Sequence, residues 1–131
     1  MSTATQLMAQ YAAYHRDRRN IATHFVGIPL IVFAVGALLA RPSFGVGNWM
    51  LTPAAIVWGL SSLWYLTRGN LALGLATSLA NLLLIAAALP LGQLETLPWL
   101  AWSLGTFIVG WAAQFIGHYY EGRKPAFVDD L

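Results

Sequence analysis

Two stretches of this chain, residues 42–67 and 69–94, contain no Asp, Glu, Lys or Arg, and a single arginine, Arg68, separates them. A helix rises about 1.5 Å per residue, so about 20 apolar residues cross the roughly 30 Å hydrocarbon core of a bilayer. Each stretch therefore has room for one span and a connection. The composition agrees, with 58% hydrophobic and 9% charged residues against roughly 25% charged in an ordinary soluble domain. The 131 residues make at most one domain. The expected fold class is all-α: a polytopic membrane helical bundle in which residues 1–131 form a single integral membrane domain.

The apolar runs place four transmembrane helices at about 21–40, 49–67, 71–89 and 99–117, followed by a tail over 118–131. Gly27 and Pro29 interrupt the first run locally, and "RPSFGVGN", "RGN" and "PLGQLETLP" form the connections. The small residues Gly74, Ala76, Ser78 and Ala80 would let the third span approach a neighbour closely. Ahead of the spans, residues 3–19 read as an interfacial amphipathic helix. Thr3 and Gln6 have capping-box spacing, and Leu7, Tyr11 and Tyr14/His15 recur on one face. The first apolar run starts only after about 20 residues and is long enough to span, so it reads as a retained helix rather than a cleaved signal.

Counting Lys and Arg orients the bundle. Arg16, Arg18, Arg19, Arg68, Arg123 and Lys124 fall on one side and Arg41 on the other, so the positive-inside rule puts both termini in the cytoplasm. In a bacterium that means the inner or plasma membrane, in a eukaryote the endoplasmic reticulum. The formal charge of +2 and pI near 9.3 are loop charge of this kind, and no nucleic-acid partner is expected. Without cysteine, disulfides, thiolate nucleophiles and cysteine-ligated metal centres are excluded.

All three histidines fall at the side chosen for the cytoplasm. His15 and His24 lie in "YHRDRRNIATH", and His118 follows the last apolar run. On an unbroken helix the nine residues from His15 to His24 turn about 900°, at about 100° per residue, and leave the two rings on opposite faces. They converge only if the chain bends. Asn20 is the expected bend, as a cap for a new helix, and it lies at i, i+4 to His24. Gln114, His118 and Glu121 share one face at i, i+4, i+7. Polar groups repeated on one face of a membrane helix should turn to the bundle interior. Three imidazoles with Glu121, backed by Asn20 and Gln114, suit a divalent first-row metal such as Fe(II), Mn(II) or Zn(II). The competing reading of each histidine alone is an interfacial residue satisfied by water.

"YHRDRRNIATHFVGIPLIVF" and "GWAAQFIGHYYEGRKPAFVDDL" resemble the two signature blocks of the family that includes the yeast 2-hydroxy fatty acid dioxygenase. The blocks read Y-H, four residues, N, three residues, H, then a proline; and G-W-x-x-Q-F-x-G-H followed by a glutamate region and R-x-P-A. Only hydrophobic filler is shared between them. The resemblance implies an Fe(II) cofactor, a 2-hydroxy fatty acid and O₂ as substrates, and a product one carbon shorter. It makes His15, His24 and His118 the candidate iron ligands. Glu121, Asn20 and Gln114 are candidate catalytic groups, and Arg19, Arg123 and Tyr14 candidate substrate-binding residues. The family pattern runs on into a further apolar segment beyond the second block, where a partner chain could cover the site; a homo-oligomer is compatible with that. Two other functions compete. One is a small haem protein with two axial histidines, and the other is a noncatalytic membrane scaffold with incidental histidines.

Overall fold

The computed structural model describes residues 3–14, 16–41, 44–47 and 49–122. Helix α1 spans Ala4–Tyr14, α2 Arg18–Leu38, α3 Pro53–Leu66, α4 Leu71–Ala88 and α5 Thr96–Glu121. A short hairpin of β1, Phe44–Val46, and β2, Trp49–Leu51, precedes α3, and a 3₁₀ turn, Leu89–Gln93, follows α4. The architecture is helical, as expected, with differences at particular boundaries.

The capping box at the start of α1 is present: Thr3 Oγ1 accepts from Gln6 N–H at 3.3 Å and Gln6 Oε1 from Thr3 N–H at 2.9 Å. The helix ends at Tyr14, not Arg19. The cap of α2 is Asp17, whose carboxylate accepts from Arg19 N–H at 2.8 Å. The new helix thus starts at Arg18, and Asn20 lies inside the first turn of α2. Aspartate is as strong an amino-terminal cap as asparagine, and Asp17 comes first in the chain.

Three helices, not four, are long and apolar enough to cross a membrane among the described residues: Arg18–Leu38, Leu71–Gln93 and Thr96–Glu121. The expected span at 49–67 is shortened at its start. Trp49–Leu51 pairs with Phe44–Val46 around Gly47, whose φ of 60° favours a residue without a Cβ. Thr52 then caps the helix, accepting from Ala55 N–H, and Pro53 occupies its first position, where its missing N–H costs nothing. The 14 residues of α3 extend about 21 Å, short of the roughly 30 Å apolar core. At the other extreme α5 continues to Glu121, so His118 belongs to a helix rather than to the tail.

Packing is close where side chains are absent. A Cβ on Gly27 would lie 2.8 Å from Gly110 O, and one on Gly117 would overlap Thr23 Oγ1 and Asn20 Oδ1, so α2 and α5 meet backbone against backbone. On α4, Gly74 and Ser78 are buried, whereas Ala76 and Ala80 face outward. Residues four apart share a face and those two apart do not. The buried set is small or polar, including Asn20, Ser103, Gln114, Ala34 and Ala37, while Phe25, Leu60, Leu83, Leu97 and Ile108 are exposed. This inverts the burial order of a water-soluble protein.

The antiparallel helices bring the start of α1 and the end of α5 to the same pole. Ala4 N–H donates to Arg68 O at 2.8 Å, and Arg16 N–H donates to Glu121 at 2.5 Å. The α1–α2 connection, the α3–α4 turn and the end of α5 therefore form one pole. Arg41 lies at the other, donating to Gly92 O at 2.8 Å and stacking 4.4 Å above Trp99.

Candidate functional site

His24 reaches the basic pole from the second turn of α2 and His118 from the last turns of α5. Both are buried. Their ring centroids are 5.0 Å apart with planes at 84°. The approach depends on Gly117, which brings α5 against Asn20, Thr23 and His24.

His24 Nδ1 lies 2.9 Å from Asn20 O. A carbonyl oxygen only accepts, so Nδ1 carries the proton and Nε2 keeps its lone pair. Metal-bound imidazoles are held by this kind of outer hydrogen bond. The separation of the rings also fits. With a metal–nitrogen distance of about 2.1 Å, two imidazoles in adjacent positions of one ion have centroids about 4.5–5.2 Å apart. Two axial ligands on opposite faces of a haem would stand roughly 6 Å apart with a macrocycle between them. The backbone contact at Gly117 leaves no such space, so this histidine pair does not fit the haem alternative.

Asn20 is fully buried. Its side-chain amide donates to Glu121, whose carboxylate also accepts from Arg16 N–H at 2.5 Å and Asp17 N–H at 2.6 Å. Glu121 thus ties the end of α5 to the residues just after His15. It does not join the imidazoles: among the described residues no group of three or more His, Asp or Glu side chains could hold a metal ion. Gln114 is buried one turn before His118, with its Nε2 against Gly27.

His15 and Arg123 lie outside the described residues, as does the side chain of Tyr14. Arg19 donates from Nε at 3.2 Å and from Nη2 at 3.1 Å to the Asp17 carboxylate, and its guanidinium stacks 4.2 Å above Tyr120. The hydrogen bonds from the Arg19 side chain hold the Asp17 carboxyl below its ordinary value. Arg19 therefore joins the start of α2 to the end of α5.

Sequence reasoning missed Tyr11 as a neighbour of the site. Its ring meets His24 edge-on at 6.3 Å, and burial pushes its phenol above the ordinary value. The signal was available in its helical spacing from Leu7, which puts it on the inward face of α1. Thr23 and Gly117 were missed too, because nothing in a list of potential ligands draws attention to the residues that let helices touch.

The histidine pair joins the two sequence blocks, and a model of the Mpo1-like family, described as 2-hydroxy-palmitic acid dioxygenase Mpo1-like, matches residues 1–131. The chain belongs to the Mpo1-like family. A member of known name, the 2-hydroxy-palmitic acid dioxygenase MPO1 of Saccharomyces cerevisiae, is 31% identical over 123 residues. The match covers 92% of this chain and 66% of the yeast protein, so the chain spans just under two thirds of that relative's length. No solved structure matches.

Proposed function

We propose that this Mpo1-like chain is an Fe(II)-dependent membrane dioxygenase that converts a 2-hydroxy fatty acid and O₂ to the fatty acid one carbon shorter. The observation that carries this reading is the meeting of His24 and His118 from the two family blocks at a distance suited to one ion. The atoms balance as R–CH(OH)–COOH + O₂ → R–COOH + CO₂ + H₂O.

His24 and His118 would hold the iron, with His15 as the third ligand. A bound ferrous ion supplies the electrons for oxygen activation and open positions for substrate oxygens and O₂. The remaining work falls to the chain itself. Asn20 O holds the tautomer of His24 in which Nε2 keeps the lone pair that an iron ion would use. Glu121 and Asn20 hold the backbone after His15 against α5. The arginines at this pole form a positive field toward which a substrate carboxylate is drawn.

A groove of about 540 Å³ between α2, α4 and α5 offers a place for the alkyl chain. Phe25 and Val26, which follow His24 in the chain, line it together with Leu30 and Phe33 of α2, Leu84 of α4 and Trp102 of α5. Each methylene buried there contributes about 0.8 kcal/mol. A bilayer setting is supported by the three long apolar helices and the outward large aliphatics. Arg16, Arg18, Arg19 and Arg68 share one pole, which would be the cytoplasmic one with both termini.

The test is iron analysis of anaerobically purified protein together with chromatography of products from 2-hydroxypalmitic acid. About one iron per chain, lost in His24→Ala and His118→Ala along with O₂-dependent formation of the shorter acid, is the expected result. Full activity in both variants would overturn the proposal.

A further inference from the structure

Asn81 places a carboxamide near the middle of the long apolar helix Leu71–Gln93. Measured from Leu71 it lies about 15 Å along the axis, deep in the roughly 30 Å apolar core of a bilayer. An amide withdrawn from water is costly there unless it is hydrogen-bonded. Among the described residues the Asn81 side chain has no hydrogen-bond partner.

The amide does not turn to lipid. Asn81 shares a face of α4 with the buried Gly74, Ser78 and Ala88, while Leu75, Leu79 and Leu83 point outward. It lines a cavity of about 190 Å³ between α2, α3 and α4, together with Ile31 and Val35 of α2 and Val57, Trp58 and Ser61 of α3. Two of the polar hydrogens at this cavity are already committed. Trp58 Nε1–H donates to Ser78 O at 2.9 Å, and the Ser61 hydroxyl donates to Trp58 O at 3.0 Å. What remains on offer is the Asn81 amide, which both donates and accepts, and the lone pairs of Ser61 Oγ.

These groups select an occupant. The volume holds about six groups of water size, at about 30 Å³ each, whereas a helix of a second chain is about 10 Å across. A water would find Asn81 and Ser61 alone, at the lower limit of the two to four polar partners that hold one, and would leave the aliphatic wall bare. A charged head would lose its hydration with no countercharge, because among the described residues no charged side chain lines the cavity. An alcohol meets each condition. Its oxygen accepts from the Asn81 amide, its hydrogen is donated to Ser61 Oγ or Asn81 Oδ1, and its carbons lie against the wall.

We propose that this cavity binds the hydroxyl end of an uncharged long-chain alcohol, with the first carbons against Ile31, Val35 and Trp58. The rest of the chain leaves past Val57, which lines the cavity and is 47% exposed. None of Asn20, His24, Gln114 and His118 lines the cavity. The site is therefore separate from the histidine pair, and the proposal stands whether or not the chain is a dioxygenase.

The experiment is photolabelling of the full chain in phosphatidylcholine nanodiscs with a dodecan-1-ol that carries a diazirine beside its hydroxyl end. Peptide mass spectrometry should place the label on α3 and α4 around Trp58 and Ile85. Dodecan-1-ol should compete at least about tenfold better than its methyl ether, which lacks the donated hydrogen, and than dodecanoate. Labelling there should fall by a similar factor in Asn81→Leu and in Val35→Trp, which fills the cavity from α2, and should persist in His118→Ala. If Val35→Trp does not fold, Asn81→Leu decides. Equal competition by the ether or by dodecanoate, unchanged labelling in Asn81→Leu, or loss in His118→Ala would overturn the assignment.

Discussion

The Nδ1–H of His24 is donated to the carbonyl of Asn20 at 2.9 Å, and this one hydrogen bond leaves Nε2 as the nitrogen with a lone pair for a metal ion. It predicts that ¹⁵N spectra of the metal-free protein at neutral pH show His24 protonated at Nδ1 and bare at Nε2. Adding Zn(II) as a redox-silent probe should shift Nε2 and leave Nδ1 nearly unchanged. Protonation at Nε2 would contradict the assigned tautomer.

Gly117 controls the distance between the helices that carry the two histidines. A methyl group there would overlap Thr23 Oγ1 and Asn20 Oδ1. Gly117→Ala gains helix propensity of up to about 1 kcal/mol, but overpacking a close contact costs about 1–3 kcal/mol. The expected net result is a lower thermal midpoint in detergent and weaker iron binding. Gly105→Ala, where an added Cβ meets nothing, should show neither effect.

Glu121 is expected to act as a positioning residue, since its carboxylate accepts from the amides of Arg16 and Asp17. A glutamine offers one acceptor oxygen where the carboxylate offers two. Glu121→Gln should speed hydrogen exchange at Arg16 and Asp17 while leaving the amides of the α2 core protected. Iron affinity should fall, and substrate titrations should show a reduced kcat at full iron loading. Unchanged exchange at both amides would remove this role.

How much of this was legible depended on whether a feature was local. The Thr3–Gln6 capping box and the shared face of Asn20 and His24 are spacings, and they reappear as hydrogen bonds. The shortening of α3 was hidden because an uncharged apolar run reads alike as a span or as a hairpin followed by a helix. Gly47 and Pro53 were the discriminating residues. Asn20, which follows the arginine run, is the expected cap, whereas Asp17 within that run caps α2. Arg68 read as loop charge, and only the packing of α1 across the α3–α4 turn reveals that it is buried.

The Asp17–Arg19 pair gives the start of α2 a defined pH dependence. Arg19 lowers the Asp17 carboxyl in the folded chain, so the folded state binds the proton less tightly than the unfolded chain, where the value is about 3.9. The resulting stability is present above that value and disappears as pH falls through the lower folded one. Neutral buffers should show no change, and unfolding should ease below about pH 4. Asp17→Asn retains a cap but removes the ionisation, so its melting temperature should vary less with pH than the wild type's over that acid range. Identical acid profiles for the two proteins would exclude a contribution from this pair.

Leu30 lines the groove between α2, α4 and α5 that Phe25 and Val26, the residues after His24, also line, and its place there makes it the lever for chain-length selection. If the groove holds the substrate's alkyl chain, Leu30→Trp should obstruct the far portion without touching the polar end. Short 2-hydroxy acids would keep their kcat/KM, because their methylenes end before the obstruction. Long ones would lose about 1–3 kcal/mol of binding, the scale of one or a few displaced methylenes and the strain of repacking, or roughly 5- to 150-fold in kcat/KM. The loss should fall mainly on KM, since groove contacts hold the ground state and the transition state alike. A uniform fall in kcat across all chain lengths would instead mean that the substitution disturbs the histidine pair through α2, and the alkyl chain would have to be sought elsewhere on the surface.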